Sequence, residues 1–82
     1  MEKSVFTEGY AVFLRCLKDA RKRSKMSQVE LAGRLGQTQS WVSKVERGER
    51  RVDIVEVREF CRAIGVPFGE FVGEFDRKAG GE

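Results

Sequence analysis

The 82-residue chain contains no histidine, and its two cysteines, Cys16 and Cys61, stand far apart with no CxxC spacing. Zinc coordination and disulfide frameworks both draw on clusters of such residues, so no metal site, no cofactor and no covalent scaffold are expected, and two lone thiols fit a reducing compartment. Proline occurs once, at Pro67, and between residues 10 and 64 glycine occurs only at Gly33, Gly36 and Gly48. No segment alternates apolar and polar residues as a half-buried strand does. No apolar run approaches the roughly 18 to 20 residues of a membrane span, and "MEKSVFTEGY" lacks the basic start and apolar run of a signal peptide. A soluble, cytoplasmic chain without a membrane partner is the expectation. With no nucleophile spaced from a base, no glycine-rich phosphate loop and no carboxylate cluster, no catalytic residue is assigned and enzymatic activity is not expected.

What the sequence does have is charge, unevenly placed. Residues 1–51 carry 12 Lys and Arg against 6 Asp and Glu, whereas residues 52–82 carry 4 against 7, within a formal net charge of +3. The basic half includes "RCLKDARKRSK" at 15–25 and "KVERGERR" at 44–51. Such clustering suits a polyanion, although basic runs on helices often serve only as solvated faces. A chain this short is one domain at most and buries only about 60% of the surface its unfolded form exposes, which makes dimerisation a natural supplement to its stability.

The spacing predicts five helices. The first spans about Thr7 to Ser24, with Phe6, Tyr10, Phe13, Leu14, Leu17 and Ala20 in one apolar stripe and Val5, Val12 and Cys16 beside it, where they widen the core face or, as the lesser reading, touch a partner. The second opens at Ser27 with a capping box completed by Glu30, carries Val29, Leu31, Ala32 and Leu35, and ends at Gly36, where a left-handed residue belongs. Thr38 caps a third helix from Gln39 to about Arg47, stopped by Gly48. Asp53 caps a fourth, with Ile54, Val57, Phe60, Cys61 and Ile64 apolar until Gly65. Pro67, at a first helical position, starts a fifth containing Phe68, Phe71, Val72 and Phe75. Residues 1–6 are expected to be a flexible N-terminus and residues 76–82 a disordered tail around a domain at 7–75.

Helices of about eight residues are marginal alone, so the segments flanking Gly36 must be held by packing. Ala32 admits a close crossing, Gly36 makes the turn, and Val42 and Val45 plug the pair into the core. At 100° per residue, Gln39, Ser40, Ser43, Lys44 and Arg47 then cluster opposite those valines. Glutamine pairs bidentately with adenine, serine serves several bases, and lysine reaches guanine or a phosphate, so this outward face is chemically equipped to read sequence. The bland reading is a merely wet face.

Residues 21–66 resemble the Cro/C1-type (XRE-family) helix-turn-helix domain of phage repressors and small bacterial regulators. The matching positions are Gln28, Glu30, Leu31, Ala32, Gly36, Ser40, Val42, Ser43, Glu46 and Gly48, followed by "AIGV" at 63–66. The resemblance implies an all-α, five-helix lambda-repressor-like domain, of bacterial or phage origin, that binds double-stranded operator DNA with its third helix in the major groove. Base contacts then fall to Gln39, Ser40, Ser43 and Lys44. Phosphate contacts fall to Gln28, Lys25, Thr38, Arg50 and Arg51, with Arg47 and Arg34 less favoured. Arg21 and Glu46 match a pair that forms a buried salt bridge in the phage repressors. Trp41 departs from the smaller residues common at its position and is assigned to packing. A homodimer is expected because such operators have two half-sites, with Phe68, Phe71, Val72 and Phe75 as its interface. No small-molecule effector is evident. The competing functions are a protein-interaction module, or an antitoxin or restriction-modification controller built on the same fold.

Overall fold

The computed structural model describes residues 7–81, and every regular element among them is helical. Val5, Phe6 and the N-terminal segment expected to be flexible lie outside the described residues.

Helix α1 spans Glu8–Arg23 and begins where the Thr7 hydroxyl accepts the Tyr10 amide at 3.1 Å. Its buried side is wider than the six-residue stripe, because Val12 and Cys16 are buried together with Leu17 and Ala20. Those two residues therefore widen the core face rather than wait for a partner. Lys25, at φ 59°, takes a left-handed turn out of the helix, and Ser24 places its hydroxyl 3.0 Å from the carbonyls of both Ala20 and Ile64. That hydroxyl ties the end of α1 to the end of a later helix.

Helix α2, Gln28–Leu35, starts with both halves of the capping box formed: the Ser27 hydroxyl accepts the Glu30 amide at 3.0 Å, and the Glu30 carboxylate accepts the Ser27 amide at 2.9 Å. Gly36 ends it at φ 68°, a left-handed conformation that costs an L residue about 1–2 kcal/mol. Two residues later Thr38 caps α3, Gln39–Glu46, by accepting the Trp41 amide at 3.0 Å. Helix α4, Ile54–Ile64, carries a second capping box from Asp53 and Glu56. Helix α5, Phe68–Asp76, follows Pro67, which sits one residue outside the helix rather than at its first position.

Two further expectations need correction. Val29 and Ile54, read as apolar positions of α2 and α4, are exposed, because each sits in the first turn of its helix before the buried face begins. The tail does not stop being helical at residue 76. A wide π-type turn continues from Arg77 until the backbone leaves helical geometry at Gly80, at φ 108°, and Lys78 reaches back to Glu74 at 2.8 Å.

The core sits where α1, α2, α3 and α4 meet, with Leu17, Leu31, Val42, Val45, Phe60 and Cys61 fully buried. Burial of an apolar side chain of this size contributes about 1.5–3 kcal/mol. Inside that apolar cluster lies one charged pair. Arg21 donates from Nε to Glu46 Oε2 at 2.6 Å and from Nη2 to Glu46 Oε1 at 3.0 Å, and its Nη1 donates to the Met26 carbonyl at 2.9 Å. Both side chains are buried, at 9% and 3% exposure, so the fork substitutes for the water each charge lost. Arg21→Ala should therefore strand the Glu46 carboxylate and cost about 3–5 kcal/mol in urea denaturation. Replacing both partners with methionine should recover much of that loss. A double variant as unstable as the sum of the single ones would show that the pair is not coupled.

Candidate nucleic-acid interface

Helix α3 is anchored from behind and bare in front. Val42, Val45 and Glu46 are buried, whereas Gln39, Ser40 and Lys44 are exposed and Ser43 is half-buried. The 100° arithmetic thus places the polar set on the outer side of the helix, and Gly36 and Thr38 aim it there. Trp41 is half-buried at the margin, with the Arg50 guanidinium 5.1 Å from its ring centroid.

A chain of hydrogen bonds joins this face to the buried pair. Gln28, on the first turn of α2, donates from Nε2 to Glu46 Oε1 at 2.9 Å. Its own Oε1 accepts from Gln39 Nε2 at 2.7 Å. Glu46 therefore fixes which way the Gln28 amide faces, and Gln28 fixes the Gln39 amide in turn. One N–H of Gln39 is committed to Gln28, which leaves its carbonyl oxygen and its second N–H for another partner. A glutamine in that state presents an adjacent acceptor and donor.

The cations around the face are more engaged than their number suggests. Arg47, the C-cap of α3, forks onto Glu49, with Nε to Oε2 at 3.0 Å and Nη2 to Oε1 at 3.1 Å, and its Nη1 donates to the Ser43 hydroxyl. The pair draws both groups toward their charged forms: the hydrogen bond and charge of Arg47 hold the Glu49 carboxyl below its ordinary pKa, and Glu49 raises that of Arg47. Arg50 donates to the Arg51 carbonyl at 2.7 Å and pairs with Glu56 at 3.3 Å while lying over Trp41. Arg51 lies 4.2 Å from the Tyr10 ring centroid. Arg34 turns away, donating to the Ala63 carbonyl at 3.1 Å, which makes it a link between α2 and α4. Lys25 and Thr38 are exposed at the turns that precede α2 and α3.

Their charge and their position at the end of the third helix marked Arg47, Arg50 and Arg51 but not the Glu49 and Glu56 carboxylates that hold two of them. The available signal was Glu49 itself, two residues past Arg47 across Gly48. The Gln28–Gln39 contact crosses eleven residues and follows from the angle between α2 and α3, which residue types do not encode.

Among the four α5 residues expected at a dimer interface, Phe71 is 3% exposed and belongs to the core, because it turns inward and packs edge-on to Phe13 at 6.2 Å. Phe68 and Phe75 are half-buried, and Val72 is 43% exposed. These three border an open apolar groove whose other walls include Tyr10, Phe13 and Ile54. The thiols of Cys16 and Cys61 are buried away from both surfaces, and burial pushes the pKa of Cys61 up to about 11. Both stay protonated at neutral pH. Among the described residues no group of acidic, cysteine or histidine side chains is arranged to hold a metal, and no helix is long and apolar enough to cross a membrane.

Comparison with known proteins agrees with this geometry. A family model described as a helix-turn-helix domain matches residues 12–71. Among solved structures, an "XRE-family like protein" from Pseudomonas syringae pv. tomato superposes with a TM-score of 0.81 at 39% identity, over 87% of each chain. None of the curated proteins matches.

The hydrogen-bond chain makes two neighbouring glutamines unequal. Gln28→Ala should lower stability by about 1–2 kcal/mol, since it strips a partner from a buried carboxylate. Gln39→Ala should change stability by less than about 0.5 kcal/mol, because its amide is exposed. Equal losses in chemical denaturation would contradict the relay.

Proposed function

The chain belongs to the XRE-type helix-turn-helix family, and from that premise we propose that it is a dimeric, sequence-specific DNA-binding regulator, acting as a repressor on a two-half-site operator. The observation that carries this reading is the Gln39 amide, held in one orientation on the exposed side of α3. Its remaining N–H and oxygen match adenine N7 and N6 in the major groove, the bidentate pattern worth about 1–3 kcal/mol of discrimination. Ser40 and Lys44 flank it on the same exposed surface, and Ser43 contributes through a hydroxyl shared with Arg47.

Around these readers, Gln28, Lys25, Thr38, Arg47, Arg50 and Arg51 supply contacts to the phosphates on either side of the groove. Arg50 and Arg51 reach them as pre-oriented groups, since stacking on Trp41 and Tyr10 reduces the rotamer freedom that binding would otherwise remove. Exposed Val72 and half-buried Phe68 and Phe75 make the outer side of α5 the surface on which two copies meet. Two copies joined there present two third helices to one duplex, which suits half-sites about one helical turn apart.

Selection of bound duplexes from a random pool tests the whole reading, with recovery of a palindrome expected and recovery of no common sequence contradicting it. On the selected operator, log affinity should fall against log salt with a slope of about −7 to −9, the value for four or five phosphates per protomer. Gln39→Ala should cost about 1–3 kcal/mol on the operator and little on random DNA. Equal losses on the two DNAs would remove Gln39 from base readout. Light scattering should give a dimer at tens of micromolar, and Val72→Asp should yield folded monomer. A wild-type monomer at that concentration would exclude the α5 interface.

A further inference from the structure

The Arg47–Glu49 fork lies at the end of the helix read above as the DNA-contacting element, and its carboxylate opposes the charge that such a surface requires. Its position is fixed by backbone. Gly48 is buried at φ 80°, and its amide donates to the Val45 carbonyl at 3.0 Å. The Glu49 and Arg50 amides then both donate to the Lys44 carbonyl, at 2.8 and 3.2 Å. This C-terminal cap sets Glu49 three residues beyond the end of α3 and two past the Arg47 cap, where its carboxylate meets the Arg47 side chain.

Exposed ion pairs usually contribute little, and both members here are just over half exposed. The geometry nevertheless belongs to the stronger kind. Both carboxylate oxygens receive separate guanidinium N–H groups, and the third guanidinium nitrogen is taken up by Ser43. Three of the five Arg47 N–H groups, including both on the side that forks onto Glu49, are therefore engaged before any DNA arrives. A phosphate gains the two-pronged Nε and Nη2 side of Arg47, with its charge unopposed, only by displacing Glu49, and that exchange depends on how closely the backbone approaches.

We propose that Glu49 is a specificity-determining positioning residue, which withholds Arg47 from the phosphates of random DNA and releases it only when base pairing by the rest of α3 draws an operator's backbone within contact distance. This inference rests on the DNA-binding reading above. On random DNA, α3 makes no matched base contacts and the backbone stays separated by water, so the fork persists and the phosphate charge goes unpaired. On the operator, Gln39, Ser40 and Lys44 seat the helix, and a phosphate oxygen displaces the carboxylate from Arg47. A phosphate contact that ordinarily carries no sequence information thereby becomes conditional on sequence. The result is a larger ratio of operator to random binding without any additional base contact.

The test compares wild type with Glu49→Gln and Arg47→Ala, each titrated against the selected operator and a scrambled duplex over a range of salt. Glu49→Gln should strengthen scrambled-duplex binding about eightfold near 0.1 M salt and steepen its salt slope by about 0.9, the increment for one added phosphate contact. Its operator affinity should change by less than about twofold on the same scale. Arg47→Ala should weaken operator binding about eightfold and scrambled binding far less, so both variants narrow the ratio from opposite sides. Unchanged thermal midpoints would separate these effects from folding, since a purely structural role would not move a salt slope.

If Glu49→Gln raises both affinities equally, the carboxylate acts only by general repulsion and the proposal fails. It fails too if Arg47→Ala weakens both duplexes alike, since Arg47 would then contact phosphates everywhere. If wild type prefers no duplex at all, the DNA reading falls and this inference with it. Discrimination by wild type combined with either of the first two results overturns the inference alone.

Discussion

One buried ion pair connects the parts of this molecule that have to be aimed. Arg21 on α1 and Glu46 on α3 form a two-pronged fork in an otherwise apolar core, and the third guanidinium nitrogen holds the Met26 carbonyl in the turn before α2. Apolar contacts among Leu17, Leu31, Val42 and Val45 hold the helices together, but side chains of that kind tolerate sliding and repacking. A charged fork tolerates neither. It fixes the rotation of α3 about its own axis, and so decides which side chains face outward.

The same carboxylate extends that control to the surface. Glu46 accepts from Gln28, and Gln28 accepts from Gln39, so an exposed side chain inherits its orientation from the core through two amides. An unrestrained glutamine would lose rotamer freedom on binding, and pre-orientation removes part of that cost. The cationic residues follow a related pattern. Arg47 lies on Glu49, Arg50 on Trp41 and Glu56, and Arg51 over Tyr10, so the basic surface is an array of positioned groups rather than a diffuse cloud of charge.

Much of the fold was legible because local chemistry and tertiary structure agree. Ser27 with Glu30, Thr38, Gly36 and Asp53 mark helix ends by rules that need only neighbouring residues, and all of these caps form. The inward course of Val42 and Val45 follows from helical periodicity. What stayed illegible depends on geometry between segments. Periodicity could not tell that Phe71 turns inward while Val72 does not, because their difference lies in what α1 places opposite them. Counting charges found Arg47 but not the carboxylate that engages it, and nothing local indicated that Arg34 caps the end of α4. The helical continuation past Asp76 as far as Ala79 was missed for a similar reason: "DRKAGGE" has little helix propensity, and the Lys78–Glu74 pair supplies part of what the sequence lacks.

Oriented through Glu46 and Gln28, α3 is the surface that we propose meets DNA. The most direct measurement follows the backbone and side-chain amide resonances of isotope-labelled protein as a selected duplex is added. The largest shifts should fall on residues 38–44 and on the first turn of α2, with the Gln39 and Gln28 side-chain amides moving together because they are hydrogen-bonded to each other. Shifts concentrated on α4 and α5, with both glutamine amides unmoved at saturation, would contradict the claim.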